Sequence, residues 1–341
     1  MEALAVVTVL RMLTDAQTTC NGGVGRLMFE RVLDQQLQGF DDDTVKDTSA
    51  PLRVLQRCQE LCIRDRTAVN NLVRTCSSFD FQPGSRIVSP PNPYGGAAPP
   101  NMAPEYTEST CYLTREQAAP DGIGNLQLVP NSYHFNEICI SSTRIELDCP
   151  NMRYVFERFE RKMLKLPTGA GAKEVQAENR ADCEEKCLNE LSIVCRSATF
   201  NFATRICSMS KFTRRTRPEA FEDNPGTVYL KKNVCLNRER RCDGQIVFIR
   251  EENVKLGGPH EMEVFFNLTL DECQAHCLKA EKYFCRSVQY HERSGECILS
   301  DEDSISQREQ LKSATGHLPP PPAFPLHTAA KNYPHLFSSV P

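Results

Sequence analysis

Leu270-Asp-Glu-Cys273-Gln-Ala-His-Cys277-Leu278 has two counterparts upstream, Leu55-Gln-Arg-Cys58-Gln-Glu-Leu-Cys62-Ile63 and Ala181-Asp-Cys183-Glu-Glu-Lys-Cys187-Leu188. In each, two cysteines stand four positions apart. On a helix such a pair shares one face, one turn apart. Thr269-Leu-Asp-Glu272 supplies a capping box: the Thr accepts from the Glu amide and the Glu reaches back. Asn179 with Asp182 is a weaker version. All three stretches therefore read as short helices.

Working outward, the seventeen cysteines fall into two sixes and a five: 20, 58, 62, 76, 111, 139; then 149, 183, 187, 195, 207, 235; then 242, 273, 277, 285, 297. Each group runs in one order: a lone Cys, a long gap, Cys-x-x-x-Cys, then single cysteines. The interval from Cys187 to Cys195 equals that from Cys277 to Cys285, and Cys195 to Cys207 equals Cys285 to Cys297. The flanks repeat as well. The fourth cysteine opens Cys76-Ser-Ser-Phe-Asp-Phe81, Cys195-Arg-Ser-Ala-Thr-Phe200 and Cys285-Arg-Ser-Val-Gln-Tyr290. The fifth opens Cys111-Tyr-Leu-Thr114, Cys207-Ser-Met-Ser210 and Cys297-Ile-Leu-Ser300. Near each start comes Phe29-Glu-Arg31, Phe156-Glu-Arg158 or Phe248-Ile-Arg250. Tyr133 and Tyr229 each stand six residues before the last cysteine of their group. A match at this many places is an internal repeat.

Between the helices, Arg196-Ser-Ala-Thr-Phe-Asn-Phe202 alternates and Gly226-Thr-Val-Tyr-Leu230 is rich in strand formers. One helix laid on short antiparallel strands is an α+β module. Two cysteines on one helix face pair badly with each other and well with cysteines on an underlying sheet. Small modules with thin cores need such staples, and this cysteine density points to an oxidising compartment.

The cysteine order, with the helix holding the second and third, resembles the PAN/apple family. The resemblance covers about 20–315. It implies three tandem disulfide-stapled PAN/apple modules, each a curved antiparallel sheet crossed by one helix. They are module 1 at 20–139, with a Pro-rich loop insertion at 83–104, module 2 at 149–235, and module 3 at 242–315. The family's pairing is first to sixth, second to fifth and third to fourth. Carried over, it implies Cys20–Cys139, Cys58–Cys111 and Cys62–Cys76. It also implies Cys149–Cys235, Cys183–Cys207 and Cys187–Cys195, and then Cys273–Cys297 and Cys277–Cys285. Family members bind proteins or carbohydrates and do no chemistry. The tandem arrangement is similar to that of invertebrate apical extracellular-matrix proteins carrying a zona-pellucida domain, of the no-mechanoreceptor-potential A type. That resemblance implies a structural or adhesive role in apical matrix or cuticle. The alternative is a soluble glycan-binding apple array of the growth-factor or protease-associated kind.

Rival chemistries are weaker. Charge is nearly balanced, 40 Lys+Arg against 44 Asp+Glu, without the basic excess of a nucleic-acid binder. Zinc needs four ligands in a tight pattern, and His276 has no counterpart where Leu61 and Lys186 stand. None of the seven His recurs at an equivalent position, and no Gly-x-Ser-x-Gly or His-Glu-x-x-His motif occurs. The expectation is no enzyme, no cofactor and no metal. Asp41-Asp42-Asp43 lacks the spacing of a calcium loop and reads as a solvated turn. Lys211-Phe-Thr-Arg-Arg-Thr-Arg217 carries four positive charges, Lys211, Arg214, Arg215 and Arg217. Such a run is usually a solvated face; its functional reading is a site for a sulfated glycan or an acidic protein surface.

The ends carry further expectations. Ala3–Leu10 is an apolar run and Thr14-Asp15-Ala16 a cleavage pattern, so 1–16 reads as a candidate signal peptide. The alternative is a start inside a longer precursor. Asn267-Leu-Thr269 is an N-glycosylation sequon. Arg238-Glu-Arg-Arg241 reads as a basic linker rather than a processing site. The insertion reads as a solvated loop projecting from module 1. In module 3 the sixth cysteine falls due near position 325, where Pro325 stands in Gly316-His-Leu-Pro-Pro-Pro-Pro-Ala-Phe-Pro325. Module 3 thus reads as truncated, its last strand missing, Cys242 unpaired and 316–341 a Pro-rich disordered tail.

Overall fold

The computed structural model describes residues 19–66, 70–87, 104–142, 153–167, 171–232, 247–252, 254–292, 294–304, 307–313 and 326–332. The three Cys-x-x-x-Cys stretches are helices: α1 (Pro51–Ile63), α2 (Arg180–Asn189) and α3 (Leu270–Lys279). The starts of α2 and α3 follow from their caps. Asn179 Oδ1 accepts from the Asp182 amide at 2.9 Å. Thr269 and Glu272 exchange both bonds of a capping box. Each cap is worth about 1 kcal/mol.

The strands are β1 (Thr19–Cys20), β2 (Gly25–Leu37), β3 (Asp43–Asp47), β4 (Ser78–Gln82), β5 (Ser109–Thr114), β6 (Leu126–Ile140), β7 (Tyr154–Leu164), β8 (Lys173–Gln176), β9 (Ser197–Asn201), β10 (Ile206–Ser210) and β11 (Phe221–Lys232). The remainder are β12 (Val247–Glu252), β13 (Val254–Leu256), β14 (Glu261–Phe265), β15 (Ser287–His291), β16 (Glu296–Ser300), β17 (Leu311–Ser313) and β18 (Leu326–Asn332). Two compact units result, one of Met1–Val45, Gln56–Gln82 and Cys111–Val234, the other of Lys46–Leu55, Pro83–Thr110 and Cys235–Pro341.

The first segments do not form separate sheets. One eleven-stranded sheet runs β3-β5-β4-β6-β2-β7-β11-β9-β10-β8, with β1 on β2. Its seam is β2 against β7, paired in parallel with Arg31 opposite Glu157 and Val32 opposite Arg158. The repeated Phe-Glu-Arg motifs thereby meet and exchange partners. Arg31 Nη2 reaches Glu157 Oε1 at 2.7 Å and Arg158 Nη1 reaches Glu30 Oε2 at 2.9 Å. Arg180, at the start of α2, pairs with Glu30 and Asp121, each at 2.5 Å, and Lys231 with Glu157 at 2.7 Å. Glu30, Glu157 and Arg158 are fully buried. Buried charges persist only when paired and hydrogen-bonded. Here each acid has two cationic partners, and the seam is held in register by them.

In the second unit a five-stranded sheet runs β12-β18-β15-β16-β14, with β13 and β17 paired apart. Its core gathers Cys273, Cys277, Cys285 and Cys297 with Tyr283, Val288, Leu299 and, from α1, Leu52. Here two expectations are corrected. The last strand of module 3 is not missing, and 316–341 is not wholly without strand. β18 lies between β12 and β15, hydrogen-bonded to both, as β11 lies between β7 and β9. The slot between two strands with free backbone groups outweighs the poor strand composition of Leu326-His-Thr-Ala-Ala-Lys-Asn332. Second, the stems of the insertion do not project. The Ile87 amide bonds the Glu105 carbonyl at 2.8 Å and the Thr107 amide the Ser85 carbonyl at 2.9 Å. Arg86 then pairs with Glu261 of β14 at 3.2 Å and with Glu296 of β16. Gly84 is required there, because a Cβ would stand 2.0 Å from the Thr107 carbonyl oxygen.

Seven bridges occur among the described residues. Cys58–Cys111, Cys183–Cys207 and Cys273–Cys297 tie each helix to a strand. Cys62–Cys76, Cys187–Cys195 and Cys277–Cys285 tie its next turn to the start of the following strand segment. Cys20–Cys139 joins the ends of β1 and β6. Cys149, Cys235 and Cys242 lie outside the described residues, as do 1–16, 238–241 and the centre of the insertion.

Candidate functional site

The basic run forms the turn between β10 and β11, and its backbone is fixed from below. Ser197 Oγ donates to the Phe212 carbonyl at 2.7 Å. The Thr213 amide bonds Thr216 Oγ1 at 2.8 Å, and the Thr216 and Arg217 amides both bond the Thr213 carbonyl at 2.9 Å. The Arg214 amide donates to the Tyr229 hydroxyl at 2.9 Å. Burial pushes that hydroxyl up to about 12, so it stays protonated.

The cations rest on aromatic rings. The Arg214 guanidinium lies 4.5 Å from the centre of Phe159, and Lys162 lies 5.5 Å from Phe221. Phe159, Phe221 and Tyr229 are themselves packed edge-to-face or tilted, 5.1 to 6.0 Å apart. Arg217 and Lys211 share Phe212, at 5.0 and 5.3 Å. Such contacts hold a cation in place while leaving its outer side to solvent. Nearby acids are Glu219, 3.5 Å from Arg217, and Asp223, 2.6 Å from Lys162. The four sequence-predicted cations are thus gathered on one turn. Lys162 was missed, because nothing local in β7 marks it.

The other candidates resolve differently. Cys273 and Cys277 have their sulfurs in disulfides, and His276 stacks on Phe265 at 4.4 Å, so this trio is not a zinc half-site. Asp42 of the acidic run is a tie, pairing with Arg74 at 3.1 Å and accepting from the Arg115 amide at 3.0 Å. Asn267 is exposed, with left-handed backbone (φ 57°). His134 meets Asp80 at 2.8 Å, but both are closed off between β4 and β6 and Asp80 Oδ2 is also tied to the Leu37 amide. No group of three or more His, Cys, Asp or Glu fit to hold a metal occurs among the described residues. Nor is any helix among them long and apolar enough to cross a membrane.

Stapled helix-on-sheet modules presenting a polar surface define a class of binding module. Residues 149–235 and 242–317 match the PAN domain. The match covers these two segments, somewhat under half of the chain. PAN/apple domains are non-enzymatic modules that mediate protein–protein or protein–carbohydrate binding, and with many disulfides they are typical of extracellular proteins. An uncharacterised protein of Caenorhabditis elegans is 22% identical over 66% of this chain and 31% of its own length. Protein let-653 of the same organism is 28% identical over 37% of this chain and 17% of its own. The chain thus spans less than a third of each relative. The two N-terminal apple domains of Toxoplasma gondii microneme protein 4 are similar at 17% identity, over 50% of this chain and 86% of that one, with a TM-score of 0.19.

Proposed function

We infer that the chain is a secreted structural and adhesive protein. Its PAN modules contact proteins or glycans in an apical extracellular matrix or cuticle. The observation that carries this reading is the pair of PAN segments, each with its helix stapled twice to its strands. Bridges of this density form in an oxidising compartment. In keeping with it, 1–16 acts as a signal peptide and Asn267 carries an N-glycan.

Residues 20–139 are a third, diverged module of the same kind. What supports this is a shared hydrogen bond. Ser78, Ser197 and Ser287 each donate, at 2.6 to 2.7 Å, to the carbonyl of Glu116, Phe212 and Glu302, each five residues past the fifth cysteine of its group. The test is antibody labelling of intact tissue without permeabilisation. Label in the apical matrix is expected; label confined to the cell interior overturns the reading.

A further inference from the structure

The turn after the fifth cysteine occurs in all three segments, anchored by the same serine, and each segment uses it differently. In the first it runs from Arg115 to Asp121 and is engaged inside the chain: Asp121 takes the Arg180 guanidinium at 2.5 Å and the Asn136 amide at 3.3 Å. In the third it reads Asp301-Glu-Asp303. All three acids are buried, and Arg286, also buried, donates to the Asp301 carbonyl at 2.7 Å and faces Glu302 at 3.4 Å. In the second it is Lys211–Arg217, positive, with Lys211 exposed and the three arginines half-buried, and with cations propped on Phe159 and Phe212.

The geometry points to this turn of the second segment, together with Lys162, as a binding site for a sulfated glycan. The inference deepens the binding role proposed above and rests on it. Three observations carry it. First, four cations lie in seven residues and a fifth stands on the neighbouring ring cluster, a density matched to a chain of fixed anions. Second, the rings and the Thr213–Thr216 bonds order the turn before any ligand arrives, which lowers the entropy cost of binding. Third, a protein partner needs an apolar centre to its interface. None of the large exposed apolar side chains of the described residues lies in 159–165 or 211–221. Glu219 and Asp223, the acids paired with Arg217 and Lys162, are both well exposed at the rim, where a polyanion can displace them.

The test passes the full-length secreted chain over immobilised heparin and, separately, over immobilised polyglutamate. Retention on heparin beyond physiological salt and little on polyglutamate is expected. Lys211→Glu with Arg217→Glu is expected to weaken heparin binding about tenfold or more, while Lys282→Glu with Lys312→Glu leaves it unchanged. Equal loss in both double variants, or stronger retention on polyglutamate, overturns the site. No heparin binding by a chain that still reaches the matrix overturns this inference alone and leaves the matrix role standing.

Discussion

Glu184, on the inner face of α2, is fully buried, as is Glu30, and neither of the Glu184 carboxyl oxygens has a hydrogen-bond partner among the described residues. A buried carboxyl without a partner holds its proton, the more so beside a second negative charge. Burial first, then the charge of Glu30, push Glu184 well above the usual carboxylate range, against Arg180 and Arg158. Burial also pushes Glu30 up, but Arg180 and Arg158 outweigh it and bring it down to about 2. The signs follow. Glu184 favours the folded state fully below about 4.5, and that advantage is lost as pH rises toward its folded value. Glu30 contributes stability above about 4.5, lost only as pH falls toward 2. Glu184→Gln keeps the size of the side chain and removes the ionisable group. Thermal melts are expected to show it more stable than the parent at pH 7 by on the order of 1 to 3 kcal/mol, with the gap closing at pH 4. A gap equal at both pH values contradicts the upward push on Glu184. The sequence displayed Phe29-Glu-Arg31 and Phe156-Glu-Arg158 plainly, yet their purpose was hidden. It depends on β2 and β7 lying side by side in parallel, which no local pattern encodes.

At the scale of elements, the three helices were legible because spacing and caps are local. α3 makes the point: Thr269 is both its N-cap and the third residue of the sequon. Two variants therefore separate the roles. Asn267→Gln should remove the enzymatically releasable mass and leave the helix intact. Thr269→Ala should remove the same mass and also cost about 1 kcal/mol of stability, read by denaturant unfolding. Equal stability of the two variants would count against the cap. The insertion and β18 were misread for the opposite reason. Composition is local, but the partners are not: Arg86 finds Glu296 210 positions along the chain. β18 is recruited by two strands far upstream in sequence, against its own weak propensity and the prolines before it. The basic turn was legible as charge. The aromatic seats that fix it, Phe159 and Tyr229, were not, since they belong to other strands.

Over the whole molecule, the repeat stands out in sequence because staples sit at fixed offsets, whereas the fusion of the first two segments into one sheet does not. That fusion predicts cooperative unfolding of the first unit. Arg158→Ala leaves Glu30 short of a buried partner and should cost about 3 to 5 kcal/mol. It should also divide the calorimetric transition of that unit into two. A single transition with unchanged midpoint contradicts the seam's role.

The disulfide framework underlies every step from repeat to family to function, and non-reducing peptide mapping of the secreted chain tests it most directly. The account predicts Cys183–Cys207 with Cys187–Cys195, and Cys273–Cys297 with Cys277–Cys285, recovered from protein in the medium. A bridge within one helix, Cys183–Cys187 or Cys273–Cys277, would contradict it.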